Sequence, residues 1–263
     1  MYYLEAGANQ RPSRIVYDRD HSAIALAKPG DIAWDHVFNG VFKDATPLPT
    51  WFHISGITPA ISSSAAGLAL ESVRKAREAG LTVSCDLNYR ENLWKWGKTA
   101  RDVMPELVQS ADVLIANEED VQATLGIEAE VDVQSGHLER GQYEELARQV
   151  LSAHPNLRAI AITLRESFSA SHNGWSACWY DGQRFLTSRH YEITHIVDRV
   201  GAGDCFAAGM IYGMLSGLPS QETLDFAVAA SCLKHSIPGD FSRVSVAEVS
   251  ALLKDGGSGR VQR

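Results

Sequence analysis

The sequence predicts an α/β fold with a mostly parallel sheet and helices on both faces. Two observations predict it. Short β-branched or apolar runs (WFHISGI, LTVSCDLN, ADVLIAN, AIAITL) alternate with stretches of helical periodicity. The 263 residues, 45% apolar and 21% charged, suffice for one large α/β domain with no disulfide or metal staple.

The elements follow in order. MYYLE and RIVYDR, separated by the turn-prone GANQRPS, read as two strands of a small sheet. A short helix is expected near Ile32–Phe38, then the strand WFHISGI. Ser62–Gly80 reads as a helix, with a Ser-rich start, Leu68, Leu70, Val73 and Ala76 on a helical spacing, and Gly80 as the stop. LTVSCDLN is a strand. Thr99–Gln109 is a helix, ADVLIAN a strand, and Glu118–Leu125 and Tyr143–Ala153 are helices. AIAITL is a strand ending at Leu164. Trp175–His190 breaks the alternation as an antiparallel hairpin about Gly182. Helices are expected from Gly203 to about Leu215, Gln221 to about His235 and Val246 to Leu253. The tail DGGSGRVQR is expected to fray.

A net charge of −8 argues against nucleic acid or an anionic membrane as partner, since both call for a basic stripe. No apolar run reaches the roughly 20 residues of a membrane span, and MYYLEAGANQRPSR has no signal-peptide pattern, so a cytoplasmic location is expected. Cys85, Cys178, Cys205 and Cys232 form no CxxC pair and read as reduced core residues. His53, His195 and the six tryptophans read as packing residues.

Three polar clusters carry candidate chemistry. In Asp198–Gly209 (DRVGAGDCFAAG), Gly201 and Gly203 lead into an apolar helix. Glycines let bare N–H groups approach a ligand, and a helix N-terminus adds its positive dipole end, which together make an anion site. Asp204 sits in the first turn. Read alone, it fits either a helix-start carboxylate or a proton acceptor for phosphoryl transfer. Neither GxxxxGK[ST] nor GxGxxG is present here. The second cluster is Asp86–Arg90 (DLNYR), at the C-terminal end of a strand, where ligands of open α/β sheets bind. A polar strand exit is the plain alternative. The third is Asn117–Asp120 (NEED). Its carboxylates suit Mg²⁺ held through water, or simply an Asn-capped helix start.

Asp198–Gly209 fits D-x-x-G-A-G-D-x-F-x-x-G throughout. On that motif the chain resembles the ribokinase-like (PfkB) carbohydrate kinases. YYLE, RPSRIVYDR, WFHISGITPA, DLNYR, NEED and DRVGAGD occur in the order seen in members that phosphorylate 2-keto-3-deoxygluconate, over most of the chain to about Asp240. The resemblance implies a ribokinase-like, Rossmann-like core over 31–254, a small β lid over 1–30 and a flexible tail over 255–263. The family's leading strand and Gly-Gly motif are not found in Met1–Thr50, so the lid is expected to be incomplete at its N-terminus.

The resemblance further implies ATP and Mg²⁺ as requirements and a sugar acid as partner. Asp204 would be the general base in an anion hole of Gly201, Ala202, Gly203 and Asp204. Tyr3, Tyr17, Arg19, Ile57, Arg90 and Asp240 would contact the substrate. Asn88, Arg90, Thr163, Leu164, Arg165, Gly201 and Gly203 would contact ATP. Asn117 and Asp120 match the ends of the family's N-x-x-E magnesium motif, with the shorter Asp in place of Glu. Arg19 and Arg90 also suit a substrate carboxylate on chemical grounds, because a guanidinium pairs with it bidentately. Pairing of lids into a homo-oligomer is implied too. Two alternatives stay open: a kinase of another ketose or keto acid, and a nucleotide-binding fragment impaired in catalysis. Ser171–Trp175 is longer than the usual family turn.

Overall fold

The computed structural model describes residues 1–39, 50–128 and 140–255. In chain order the elements are β1 (Tyr2–Glu5), β2 (Arg14–Tyr17), α1 (Ala23–Leu26), α2 (Trp34–Asn39), β3 (Trp51–Ser55), α3 (Ile57–Ile61), α4 (Ser63–Glu78), β4 (Thr82–Asp86), α5 (Ala100–Val108), β5 (Val113–Ala116), α6 (Glu118–Leu125), α7 (Arg140–Ala153), β6 (Ala159–Ser169), β7 (His172–Tyr180), β8 (Phe185–Thr187), β9 (Tyr191–Ile193), α8 (Ala202–Leu215), α9 (Ser220–Lys234) and α10 (Val246–Asp255). The expected tail lies, from residue 256 on, outside the described residues.

Strands β3, β4, β5 and β6 run parallel and in that spatial order; β7 then turns back antiparallel, and β8 and β9 both pair with it. Successive residues face opposite sides, so each strand serves two cores. Leu114, Ile160, Ile162, Leu164 and Cys178 face one side, with Val73, Met104, Leu107, Leu146 and Val150 of α4, α5 and α7. Val113, Ile115, Ala159, Ala161 and Ala177 face the other, with Phe206, Met210, Leu224 and Val228 of α8 and α9. This double burial is why the central strands read as continuous apolar runs. Trp175 and Trp179 pack in the second core, and Cys85, Cys178 and Cys205 are buried free thiols.

Strands β1 and β2 form a separate antiparallel two-stranded sheet, Tyr2 opposite Tyr17 and Leu4 opposite Ile15. The short helices α1 and α3 lack the length for a periodic signal in the sequence. The largest departure from expectation is β6, which continues to Ser169 rather than stopping at Leu164. Its polar second half, RESFS, has no apolar face to announce a strand. It is held instead by antiparallel pairing with β7, Arg165 opposite Trp175 and Ser167 opposite Asn173. Thr163–Arg165 therefore sit mid-strand, not at a strand end. The expected hairpin is also redrawn: β7 starts at His172, and the stretch after Gly182 splits into β8 and β9 on different parts of β7.

Candidate active site

The C-terminal ends of β4 and β5, the middle of β6, the start of α8 and the lid sheet enclose a cleft of about 740 Å³. Two close backbone approaches shape it. At Gly56 the N–H donates to the Asp86 carbonyl at 2.7 Å, and a Cβ would lie 2.0 Å from the Leu87 carbonyl oxygen. Only glycine brings the ends of β3 and β4 this close, which sets Ile57 and Asp86 at the cleft wall. At Gly201 the backbone is left-handed (φ 77°), and a Cβ would meet the Asp240 carbonyl oxygen at 2.2 Å. The turn before α8 is thereby pressed against Asp240, with Asp204 in the first turn of the helix.

Thirteen of the residues singled out in the sequence line this cleft: Tyr17, Arg19, Ile57, Asn88, Arg90, Asn117, Asp120, Thr163, Arg165, Gly201, Gly203, Asp204 and Asp240. Ala202 is buried beneath the turn and can offer only backbone. Tyr3 and Leu164 are placed elsewhere. Strand alternation turns Tyr2 and Leu4 into the cleft and leaves Tyr3 on the outer face of the lid, 57% exposed. Leu164 faces the opposite side of the sheet, towards Cys178 and a second cavity of about 650 Å³.

Carboxylates crowd the floor. Asp86 is buried, and loss of water together with the nearby Asp120 and Asp204 raises its pKa to about 8. Burial likewise raises Asp120 to about 6, against the pull of Arg90 and of the Tyr89 N–H, which donates to Asp120 Oδ1 at 3.0 Å. Burial also raises the pKa of Glu118, whose Oε2 finds no hydrogen-bond partner among the described residues. Asn117 caps α6, its Oδ1 accepting the Asp120 N–H at 2.7 Å. The helix-cap reading of NEED therefore holds, while Asp120 still faces the cleft. Among the described residues no three acidic, histidine or cysteine side chains converge as a ready metal cage. An ion shared with phosphate oxygens needs only one or two carboxylates, and Asp86 and Asp120 are two carboxylates of this cleft that could hold one.

Cations line the same cleft. Arg19 lies 5.4 Å over the Tyr17 ring, and its buried Nε has no partner among the described residues. Arg165 lies 5.0 Å over the Trp175 ring. Arg165 keeps solvent contact on the cleft side, yet protein packs densely around it; that packing, with Arg199 and Arg90, lowers its pKa to about 10. Asn88 holds a left-handed backbone (φ 38°), its N–H donating to Asp86 Oδ1 at 3.2 Å and its Nδ2 to Ser55 Oγ at 3.2 Å. The Tyr2 hydroxyl donates to Asp240 Oδ2 at 3.2 Å, which ties the lid to the loop behind Gly201. Burial and the Asp240 bond raise the Tyr2 pKa to about 12.

Tyr2, Asp198 and Arg199, to which the sequence assigns no individual role, also line the cleft, as do Asp86 and Glu118 of the DLNYR and NEED clusters. Asp86 carried a signal, since it opens DLNYR at a strand end. The choice of Tyr2 over Tyr3 carried none, because a two-tyrosine strand does not reveal which face is inward.

A glycine turn at a helix start, an acid in that helix and arginines in the same cleft, under the small β1–β2 sheet, define a phosphoryl-transfer enzyme of α/β type. The family model of the pfkB family carbohydrate kinases matches residues 18–240, and the chain belongs to that family. It is a carbohydrate kinase with the ribokinase-like fold. A 2-dehydro-3-deoxygalactonokinase of Haloferax volcanii is 30% identical over 98% of this chain and 71% of its own length. A 2-dehydro-3-deoxygluconokinase of Bacillus subtilis is 24% identical over 93% of this chain and 66% of its own length. The crystal structure of a 2-dehydro-3-deoxygluconokinase from Thermotoga maritima is 46% identical and superposes with a TM-score of 0.85, over 95% of this chain and 72% of that one. No helix among the described residues is long and apolar enough to cross a membrane.

Proposed function

We propose that the chain phosphorylates the terminal hydroxyl of 2-keto-3-deoxygluconate (2-dehydro-3-deoxygluconate) with ATP, giving the 6-phosphate. The observation that carries this is the gathering of Asp204, the Gly201–Asp204 turn, Arg19 and Arg90 in the lining of one cleft. Arg19, with an unpartnered buried Nε, and Arg90 take the sugar carboxylate and fix the far end of the substrate. Tyr2, in place of Tyr3, with Tyr17, Ile57 and Asp240, closes around the sugar. Asp204 accepts the proton of the attacking hydroxyl, and the oxygen forms its bond to the γ-phosphorus as the bond to ADP breaks. The N–H groups at the start of α8 face the charge on the phosphoryl oxygens. Asn88, Arg90, Thr163 and Arg165 serve the nucleotide, with only the backbone of Leu164 available to it.

Magnesium fits this floor. Asp86 and Asp120, two buried carboxylates whose pKa values are raised chiefly by loss of water, would hold it, with Asn117 fixing Asp120 through the α6 cap. When bound, the ion supplies charge neutralisation between the phosphates.

A second reading is favoured by the Haloferax relative: the 4-epimer, 2-keto-3-deoxygalactonate, as the preferred acid. ADP release with Mg²⁺ and ATP, across both acids, gluconate, fructose and ribose, decides. Release with either keto acid well above the neutral sugars supports the reading. Preference for fructose or ribose sinks it.

A further inference from the structure

The segment Ser171–Trp175 and the residue Arg199, which the proposed chemistry leaves without a role, meet in the structure. The turn before α8 is held on one side by Asp198: its Oδ1 accepts the Val200 N–H at 3.0 Å and its Oδ2 accepts the Gly239 N–H at 2.9 Å. Arg199 reaches to the tip of the β6–β7 hairpin instead. Its Nη2 donates to the Ser169 carbonyl at 2.5 Å and to Asn173 Oδ1 at 3.0 Å, and its Nε donates to the Ala170 carbonyl at 3.1 Å. Asn173 is fully buried, so this is a planar fork seated on fixed acceptors. A lysine, with one ammonium point, does not reproduce it.

The other side of the same tip grips the lid. The Ala170 N–H donates to the Asn9 carbonyl at 2.7 Å, and the Asn9 N–H donates to Ser171 Oγ at 3.3 Å. Asn9 is held in a left-handed conformation (φ 51°) beside the Ala8–Arg11 bridge that closes the β1–β2 loop. The Ile196 N–H also donates to the Ser171 carbonyl at 3.2 Å, which adds a further tie to the segment leading into the turn. Three residues, Ser169 to Ser171, thus connect the lid loop on one side with Arg199 on the other.

We propose that Arg199 is a positioning residue: through the hairpin tip it fastens the lid to the turn that opens α8, so that loosening either end loosens the other. Together with the Tyr2–Asp240 bond, it makes the lid grip the turn from two directions. The turn's role towards the phosphoryl group rests on the function proposed above; the fastening itself does not.

Hydrogen exchange of the full chain without ligand tests this, and it needs no turnover. Arg199→Ala is expected to speed exchange several-fold in peptides covering 6–13 and 166–173, with α4 and β4 unchanged. Arg199→Lys, which keeps the charge and loses the fork, is expected to behave like the alanine variant. Ser171→Ala leaves the Arg199 bonds intact, and is expected to speed exchange in 6–13 and at 198–204. Lid exchange at the wild-type rate in Arg199→Ala, or full rescue by lysine, overturns the proposal. Should Arg199→Ala fail to fold, Arg199→Lys and Ser171→Ala decide alone, and wild-type exchange in both overturns it. Kinetics add a second readout: kcat lowered roughly 10–100-fold with little change in the KM for ATP. An inactive wild-type chain would count against the proposed function and leave the exchange result standing.

Discussion

Gly201→Ala is the perturbation whose consequences the structure determines most fully. Gly201 holds φ at 77°, a conformation that costs an L-residue roughly 1–2 kcal/mol. An alanine Cβ would also stand 2.2 Å from the Asp240 carbonyl oxygen, whereas ordinary contact begins at 3.4 Å. The turn and the Asp240 loop must therefore separate by about 1 Å, and overpacking of this kind costs roughly 1–3 kcal/mol. The total is about 2–5 kcal/mol. For a chain of this length that lowers Tm by roughly 5–15 °C. The displacement falls on the turn that faces the transferring phosphoryl group and on the residue that anchors Tyr2. A misplacement of this size lowers turnover about 100-fold. The assay is thermal unfolding alongside ADP release. Gly203→Ala is the control: its Cβ meets nothing within 4 Å, so its Tm should stay within a few degrees of wild type. Wild-type Tm and turnover in Gly201→Ala would refute the claim that this close approach shapes the site.

Asp204→Asn keeps shape and removes the proton acceptor; kcat should fall roughly 10²–10⁴-fold with Tm nearly unchanged, and steady-state kinetics with a melting curve check both. Arg19→Ala should raise KM at least about tenfold for keto acids and leave neutral sugars little affected, read across a substrate panel. Asp86→Asn addresses the crowded floor. Asp86 binds its proton more tightly folded (pKa about 8) than unfolded (ordinary value 3.8), so its contribution to stability is fully present below about 4 and is lost as pH rises through about 8. The Tm of Asp86→Asn should therefore gain on wild type as pH rises from 4 to 9, and a difference that shrinks with pH would contradict the burial argument.

The glycine turn and its acid were legible because the backbone itself does the chemistry there: φ > 0 and close approach select glycine whatever the surroundings. Core strands were legible for a similar reason, since burial on both faces forces continuous apolar runs such as VLIA in β5. What the sequence hid is set by partners distant in the chain. β6 extends through RESFS only because β7 pairs with it. Tyr2 rather than Tyr3 faces inward because of how the lid sits over Asp240, 238 residues away. Arg199 occupies a variable position of the glycine motif, and nothing local to it foretells the hairpin tip that it holds. Asp86 is visible as a strand-end carboxylate, but its raised pKa comes first from burial in the folded chain and then from Asp120 and Asp204, brought in by two other elements.

The reaction proposed for this cleft moves a phosphoryl group from ATP to the terminal hydroxyl of a keto-deoxy sugar acid. Phosphorus NMR of the product formed from Mg²⁺, ATP and 2-keto-3-deoxygluconate tests it most directly. The expected product is a phosphate monoester whose phosphorus couples to a methylene group, formed with one equivalent of ADP and at least about 100-fold more slowly by Asp204→Asn. Inorganic phosphate alone, or an ester on a secondary carbon, would contradict it.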